Sequence, residues 1–253
     1  MGESSNITEA VVLIKAAPHV GKRHGETVCC AALDAYGKWL RLYPIKLRVL
    51  DDQQKFARWD RIKFRWRAAN DDSRVESRRV EQDSIEIVGQ LKGSERGRFL
   101  AKSIVTGLKG ERDAGRSLAL LKPEFQSFSI QRKDDKDLRR EEAEFEEVNS
   151  QSDLFAKRVR PYRPCPYEFK YKYKTEDGDR EGTCQDWEVE ATYFNWVKRY
   201  GEKETLEKMA AEFGERIPQK GMLFAMGTHS RYPDVWLING IIRQDELAQL
   251  TLI

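Results

Sequence analysis

Short runs that are apolar throughout, or that alternate apolar with polar residues, dominate the first third of the chain. They are rich in β-branched residues and are bounded by Gly, Pro and Asp. This pattern predicts strands at 11–16, 26–33, 38–43, 61–67 and 84–91. Two more strands are expected at 222–227 and 235–242, on either side of the polar turn THSRYPD.

Two of the alternating runs carry a face made only of cations. In RIKFRWR, residues 61–67, one face holds Ile62, Phe64 and Trp66, and the other face holds arginines and a lysine. Residues 157–174 are interrupted by prolines and then alternate in the same way, with Phe169, Tyr171 and Tyr173 opposite Lys170, Lys172 and Lys174. Because side chains of a strand point alternately to its two faces, each run predicts a strand with one wholly cationic face.

Helical spacing of apolar residues is found in the middle and the later part of the chain. It predicts helices at 94–108, 117–121, 186–200 and 203–214. The helix at 186–200 is the clearest, with Asp186 as its N-cap and acidic residues in its first turn. Residues 134–150 are strongly acidic and are expected to form a charged insertion or mobile loop, in which a short helix is an open alternative.

These elements together predict an α+β protein. The expected architecture is a curved, partly closed antiparallel or mixed β-sheet, barrel-like, with helices packed on one side. The chain of 253 residues is interpreted as a single elaborated domain, 1–253. No apolar run is long enough to span a membrane, no signal peptide is recognisable, and the four cysteines are irregularly spaced. A cytoplasmic protein with reduced thiols and no membrane partner is therefore expected.

The charge distribution points to an anionic partner. The net charge is only +3. Residues 38–79, however, have an excess of about seven positive charges, a clustering that attracts phosphate. Neither GxGxxG nor GxxxxGK[ST] is present, so the sequence does not support a dinucleotide or P-loop nucleotide site. No cofactor and no metal are expected.

Nucleic acid, more specifically DNA, is the partner that fits these cations and rings. The two cationic strands are expected to form a floor that follows a phosphate backbone. Lysines on exposed edge strands also discourage aggregation and need no ligand. Arg41 has two interpretations, a phosphate contact or a buried pair with Asp60. The predicted binding residues are Arg41, Tyr43, Lys63, Arg65, Arg67, Lys170, Tyr171, Lys172, Arg231 and Tyr232.

The turn GTHSRYPD brings His229, Arg231 and Tyr232 together between two buried strands. Loops held by rigid strands often carry binding groups, and these three could act on phosphate or stack on a base. A hairpin in which His229 caps its own backbone is the equally weighted alternative.

Carboxylates at the start of the helix predicted at 186–200 are candidates for catalysis. Asp186 and Glu188 flank Trp187, and hydrolysis of an N-glycosidic bond needs a carboxylate next to an aromatic surface that accepts an extruded base. Trp187 or Tyr171 would supply that surface. Glu26 and Glu76 are rival carboxylates, and His229 is a possible acid or base. The alternative interpretation makes Asp186 a helix cap and Glu188 a partner of the helix dipole.

Several blocks of sequence resemble a known family. The blocks are GETVCCAALDAYGKWLRLYPIKLRVL, WDRIKFRWR, CQDWEVEATYFNW and GTHSRYPDVWLINGI. They are similar to those of a poorly characterised bacterial family whose members occur beside mobile-element and phage-defence genes, which implies foreign or modified DNA as a target. Some relatives carry a Cys/His cluster before the DWE block, where this chain has only Cys184. The first strands also resemble PUA and ASCH barrels, which bind RNA or modified bases.

Two hypotheses of function follow. The first is a base-extruding, glycosylase-like hydrolase that acts on a modified base in DNA during phage defence. The second is a reader of RNA or modified DNA, built on a PUA-like barrel and without catalysis. A third possibility is an interaction partner that binds through its acidic segment. The sequence leaves the recognised base, the strand preference and the oligomeric state open.

Overall fold

The first part of the chain closes into a small mixed barrel. The computed structural model describes residues 6–17, 19–21, 25–46, 50, 54–152, 163–229 and 232–247. The five barrel strands are β1 (Asn6–Lys15), β3 (Gly25–Leu33), β4 (Trp39–Ile45), β5 (Asp60–Ala68) and β6 (Ser77–Val80). Strand β1 pairs with both β3 and β5, which closes the ring. The pairing of β4 with β6 is parallel, whereas the other barrel pairs are antiparallel.

Two short strands extend the barrel sheet. They are β2 (His19–Gly21), which pairs with β3, and β7 (Glu86–Gln90), which pairs with β5. The interior of the barrel is filled by alternate, inward-facing residues such as Val12, Leu42, Ile62 and Phe64. This arrangement confirms the predicted α+β class with a barrel-like mixed sheet.

A second sheet of seven strands follows in the chain. Its order is β10 (Glu124–Arg132), β11 (Tyr167–Thr175), β12 (Gly178–Cys184), β14 (Trp236–Arg243), β13 (Met222–Thr228), β9 (Leu118–Leu121) and β8 (Ile104–Val105). The barrel and this sheet share a cluster of buried side chains in which Leu13 and Leu33 meet Leu120, Leu223 and Ile242. Apolar burial therefore holds the two sheets together.

The helices lie mostly after the barrel. They are α1 (Gly93–Leu100), α2 (Lys109–Asp113), α3 (Asp135–Ser152), α4 (Trp187–Tyr200), α5 (Glu202–Ala211), a π-helix (Glu212–Arg216) and α6 (Ile217–Lys220). Helix α4 is capped by Asp186, whose side chain accepts a hydrogen bond from the Glu188 amide, as predicted. It ends at Gly201, where φ is 76°. Val189 and Tyr193 of α4, with Met209 of α5, pack on the second sheet.

Three predicted elements differ in the structure. Residues 117–121 were expected to be helical, but they form the buried strand β9. The helix expected at 94–108 ends at Leu100 and is followed by a 3₁₀ turn and β8. The acidic segment 134–150 lies almost entirely in the long helix α3, where Phe145 is buried and Lys133 pairs with Glu141 at 2.7 Å. A buried ring and local ion pairs outweigh the unfavourable density of acids there.

Candidate nucleic-acid interface

Strand β5 presents the predicted alternation. Ile62 and Phe64 are buried in the barrel, whereas Lys63, Arg65 and Arg67 are exposed on its outer face. The first of these cations is balanced by its neighbours, because Lys63 lies opposite Glu9 of β1 and Glu86 of β7. Positive charge is therefore weakest at the start of the strand.

The other end of β5 is more strongly cationic. Arg65 Nε lies 3.0 Å from a carboxylate oxygen of Glu81, and Arg67 Nε lies 3.8 Å from the other oxygen of the same side chain. One carboxylate thus serves two arginines. In addition, Arg67 lies directly opposite Arg79 of β6. Like charges directly opposite one another destabilise a strand pair, so this position favours the arrival of an anion.

Tyr43 extends this arrangement across a third strand. It pairs with Arg79 in the parallel register of β4 and β6, so Tyr43, Arg79 and Arg67 form a row across β4, β6 and β5. We call these three residues the arginine row. Burial raises the pKa of the Tyr43 hydroxyl, Asp71 and Cys29 raise it further, and Arg79 opposes the rise. The phenol is therefore neutral at physiological pH and able to donate a hydrogen bond.

A stacked pair lies beside the arginine row. The guanidinium of Arg78 lies 4.3 Å from the centre of the Trp66 ring, a cation–π contact. Its Nη1 donates to the carbonyl oxygens of Val75 and Ser77 at 2.8 and 2.9 Å. Burial lowers the pKa of Arg78, with Glu76 and Asp34 opposing. These contacts hold this guanidinium against the barrel, so the two arginines of the row are the better placed groups for phosphate.

Arg41 has a structural position, and the prediction of a phosphate contact there is wrong. Only 4% of the residue is exposed, and its Nη2 donates to the Ser117 carbonyl and hydroxyl oxygens at 3.0 and 3.2 Å. The Glu76 carboxylate accepts from the Ser117 amide and hydroxyl, both at 2.7 Å. Burial lowers the pKa of Arg41 to about 10. The alternative partner, Asp60, instead accepts from the Ala57 amide and Gln90.

The loop after β13 lies next to this buried network. Arg74 Nη1 donates to the Thr228 carbonyl at 2.9 Å, and the same guanidinium binds both oxygens of Asp72. His229 and Tyr232 follow, with ring centres 5.2 Å apart, and Tyr232 is 63% exposed. Arg74 lies in the connection between β5 and β6, so its hydrogen bond to the Thr228 carbonyl links the start of the loop to the two strands that carry Arg67 and Arg79. Arg231 lies outside the described residues.

The second cationic strand is not part of this surface. Strand β11 belongs to the other sheet and pairs with β10 and β12, so the two strands do not form one continuous sheet face. Lys170 lies 3.0 Å from Glu168, and Lys172 lies 3.7 Å from Glu181. Tyr171 is completely buried, and its hydroxyl donates to the Phe213 carbonyl. The prediction that Tyr171 stacks on a base is therefore wrong.

Asp186 is fully engaged by the protein. Only 2% of it is exposed, one carboxylate oxygen accepts from the Glu188 amide, and the other accepts from the Ile241 amide and from Arg58. A general base needs a free lone pair close to substrate, so its role here is that of a cap and ion-pair partner. Glu188 is 47% exposed and lies 3.0 Å from Arg58, and Trp187 is partly buried at the start of α4. The side chain of Glu26 lies outside the described part.

Sequence reasoning missed two of the arginines that matter. Arg79 was counted only as one of many positive charges, because the sequence VESRRV was not expected to form a strand. Arg58 was likewise counted only as a positive charge, although it pairs with Asp186 and Glu188. The run of basic residues from 61 to 79 was the available signal, but only the strand register shows which of them are opposite one another.

The described residues contain neither a candidate metal site nor a helix that could span a membrane. No group of three His, Cys, Asp or Glu side chains is placed to hold a metal ion within this part of the chain. Among the helices of the described ranges, none is long and apolar enough to cross a membrane. All four cysteines are free thiols. Burial raises the pKa of Cys165 to about 12, which makes this thiol unreactive.

Two family models match the chain. Residues 6–104 match a domain of unknown function, DUF8758. Residues 101–252, more than half of the chain, match a second domain of unknown function, DUF8757. The chain belongs to the DUF8757 family. The DUF8757 match begins where the barrel sheet has ended and β8 opens the second sheet. Membership confirms the expectation of a poorly characterised family, whereas phage defence and the PUA or ASCH likeness stay predictions.

Other comparisons add little about DUF8757. No curated protein matches the chain. One similar solved structure is described as "Molecular basis for abrogation of activation of pro-inflammatory cytokines", with a TM-score of 0.31 and 8% identity over 73% of this chain and 80% of that one. Another is "Crystal structure of the tetrameric p202 HIN2", with a TM-score of 0.30 and 8% identity over 75% and 77%. Similarity at this level has no bearing on function.

Proposed function

We propose that the protein binds nucleic acid through the arginine row and the neighbouring His229–Tyr232 loop. The observation that carries this proposal is the direct opposition of Arg67 and Arg79 across β5 and β6, in one row with Tyr43. A phosphate between the two guanidinium groups would relieve their repulsion and accept hydrogen bonds from both. Tyr43 and the exposed ring of Tyr232 would contact sugar or stack on bases.

We further propose that the protein reads nucleic acid rather than hydrolysing it. The best catalytic candidate from the sequence, Asp186, is buried and already accepts hydrogen bonds from two amides and a guanidinium. Glu188 is paired with Arg58, and an adjacent cation makes a carboxylate a poorer base. A glycosylase-like activity on modified DNA in phage defence remains the competing proposal, and the same experiment tests it.

Fluorescence anisotropy with one labelled sequence, prepared as single-stranded DNA, duplex DNA and RNA, tests binding. We expect the affinity to fall as salt rises from about 50 to 200 mM, because binding releases counterions from phosphate. Arg67→Gln and Arg79→Gln should each weaken binding about fivefold to tenfold and reduce the salt slope by about one.

Lys63→Gln is the matched control, since Lys63 is on the same face of β5 but lies between Glu9 and Glu86. It should change affinity less than about twofold. An equal loss from Lys63→Gln and Arg67→Gln would reject the arginine row as the binding surface, and so would binding that does not respond to salt.

Catalysis is tested on methylated and unmethylated duplexes, with abasic sites detected by alkaline cleavage. We expect no product. Strand scission that is lost in Glu188→Gln, with the affinity for the duplex retained, would replace the reader with the hydrolase.

A further inference from the structure

Strand β10 forms one edge of the second sheet. It pairs with β11 on one side, and no strand of the described ranges pairs with its other side. The outer edge of such a strand presents a row of backbone N–H and C=O groups that a further strand can pair with. Natural edge strands are often very short for this reason, whereas β10 has nine residues.

The other edges of the two sheets are short or irregular. Strand β8, at the far edge of the second sheet, has two residues, and β2 of the barrel sheet has three. Strand β7 has five residues and a break in its register with β5. Short and bulged edges resist pairing with another chain. Among the edges that the structure describes, β10 is therefore the most open to a further strand.

The sequence of β10 lacks the residues that protect an exposed edge. Between Glu124 and Arg132, the run FQSFSIQ contains no charged residue and no proline. Charged side chains, especially lysine, and proline are the residues that prevent natural edge strands from pairing. One bulge lies near the start of β10, between Phe125 and Ser127. From Ser127 to Arg132 the register with β11 is unbroken, so this part of the strand offers a regular edge.

The inward face of this edge is only partly covered. Phe128 and Ile130 pack on the core of the second sheet but are not fully buried. The ring centre of Phe128 lies 4.8 Å from that of the buried Tyr171. A further strand beside β10 would complete the apolar cover of these side chains. On the outward face it would meet exposed and neutral side chains, namely those of Ser127, Ser129 and Gln131.

The regular part of β10 is complementary to itself in the antiparallel direction. With Ser129 on a twofold axis, Phe128 lies opposite Ile130 of the second copy, and Ser127 lies opposite Gln131 of the second copy. Each of these pairs occurs twice, because a twofold interface uses the same patch of both chains. Pairs of an aromatic with a β-branched residue stabilise neighbouring strands. Apolar residues thus meet apolar residues on one face, and neutral polar residues meet on the other.

The charges at the two ends of β10 favour the same direction. Antiparallel self-pairing brings the end that carries Glu124 beside the end of the second copy that carries Arg132. Both side chains already have neighbours within the chain: Glu124 lies opposite Lys174 of β11, and Arg132 has Tyr167 and Asp135 beside it. The end charges therefore select the direction of pairing, and backbone hydrogen bonds and apolar contact supply the attraction.

We propose that two copies of the protein pair antiparallel through β10, with Ser129 at the twofold axis, so that their second sheets join into one continuous sheet. The match of β10 with itself is what favours a second copy over a strand of another protein. The arginine row lies on β4, β5 and β6 of the barrel, so the pairing uses none of its residues. The dimer therefore carries two arginine rows, and its existence does not depend on nucleic-acid binding.

Sedimentation equilibrium tests for the dimer. The unaltered protein is measured from about 1 to 100 μM, the range in which small interfaces associate. We expect the mean mass to rise with concentration from that of one chain towards that of two. A mass of one chain at every concentration overturns the proposal, and an extended segment of another protein is then the remaining occupant of the β10 edge.

Two double variants test the register. Ser127→Lys with Gln131→Lys sets two lysines opposite each other at both ends of the interface, where like charges are destabilising. Ser127→Glu with Gln131→Lys changes the same positions, but its new charges are opposite in sign across the interface. Within the chain they also face opposite charges of β11, Lys172 and Glu168. We expect the dimer dissociation constant of the first variant to be at least about tenfold that of the second. Equal dissociation constants in variants shown to be folded by thermal unfolding reject the pairing.

A disulfide cross-link gives a second measurement that needs only one small substitution. Ser129→Cys places a thiol on the proposed twofold axis, where the two sulfurs come within bonding range. Glu181→Cys is the matched control, because Glu181 is exposed on the same outward face but belongs to β12, two strands in from β10. Under mild oxidation, Ser129→Cys should form a covalent dimer at least about tenfold faster than Glu181→Cys. Equal rates place the contact elsewhere and overturn the proposal.

Discussion

Arg58 and Asp186 form a buried ion pair of 3.0 Å that joins the chain just before β5 to the residue that caps α4. The pair lies between the barrel and the second sheet, and the guanidinium also donates to the Ile241 carbonyl of β14. Ala17 donates a further backbone hydrogen bond to Gln185 at 2.8 Å. One ion pair therefore connects the barrel, the central strand β14 and the start of the longest helix packed on the second sheet.

Loss of Arg58 is predicted to destabilise the fold strongly. Arg58→Ala leaves the Asp186 carboxylate buried without its cation, which typically costs about 3 to 5 kcal/mol. Urea unfolding measures the loss. Lys172→Ala is the control. Both side chains of the Lys172–Glu181 pair are exposed, so this pair should contribute less than about 1 kcal/mol to stability. Similar losses for the two variants would show that the Arg58 pair is not a structural link.

The double variant Arg58→Ala with Asp186→Asn tests the same pair from the other side. Asparagine can still cap α4, and because it is neutral it leaves no unpaired charge buried in the interior. We expect the double variant to be more stable than Arg58→Ala alone, since the two sites are in contact and their effects are not additive. An additive double loss would contradict this coupling.

Local alternation was sufficient to predict β5 and its two faces. Ile62 and Phe64 point into the barrel as expected, because a period of two can bury only one side of a strand. The same logic predicted the inward face of β11, but it assigned Tyr171 to a ligand. Whether an aromatic face meets solvent or another layer depends on elements far away in sequence, here α5 and the π-helix that cover β11.

Local sequence patterns do not predict the arginine row. Arg67 and Arg79 are twelve residues apart in sequence and become neighbours only through the register of β5 with β6. Arg41 shows the converse, because the pattern WLRLYP correctly places it opposite Leu40 and Leu42, yet the second sheet covers that outer position. The run LALL at 118–121 was equally ambiguous, since a short apolar run fits a buried strand as well as a helix.

Asp72 is predicted to contribute to stability only above acidic pH. Burial favours its neutral form, but hydrogen bonds from Arg74 and Ser77 outweigh this and lower the pKa to about 2. A folded pKa below the unfolded value means that the contribution is complete above about pH 4 and is lost as the pH falls towards 2. Between pH 4 and pH 2, the free energy of unfolding of Asp72→Asn should therefore fall by on the order of 1 to 2 kcal/mol less than that of the unaltered protein.

Urea unfolding at a series of pH values measures this effect. Asp83→Asn alters an exposed carboxylate in the 3₁₀ turn between β6 and β7 and is the control. If the free energy of unfolding of Asp72→Asn depends on pH between 4 and 2 as that of the unaltered protein does, Asp72 does not form its hydrogen bonds to Arg74 and Ser77 in solution.

Tyr171→Phe is predicted to lower stability and leave nucleic-acid binding intact. It removes the hydroxyl that satisfies the Phe213 carbonyl of the π-helix, which should cost about 1 to 3 kcal/mol. Tyr173→Phe changes the next ring on the same buried face and is the control. Thermal unfolding and anisotropy on the same samples separate the two properties. A loss of affinity without a loss of stability would restore Tyr171 as a ligand contact.

Tyr232 provides the last prediction, because it is the ring through which the loop is proposed to bind nucleic acid. The ring is 63% exposed and lies 5.2 Å from that of His229, so it is accessible to a base. Stacking of one base contributes about 1 to 3 kcal/mol, so Tyr232→Ala should lower the affinity for single-stranded DNA at least about fivefold. Tyr36→Ala is the control, since Tyr36 is 89% exposed in the turn between β3 and β4. If both variants bind alike, the arginine row holds the phosphates without help from the loop, and the interface is smaller than proposed.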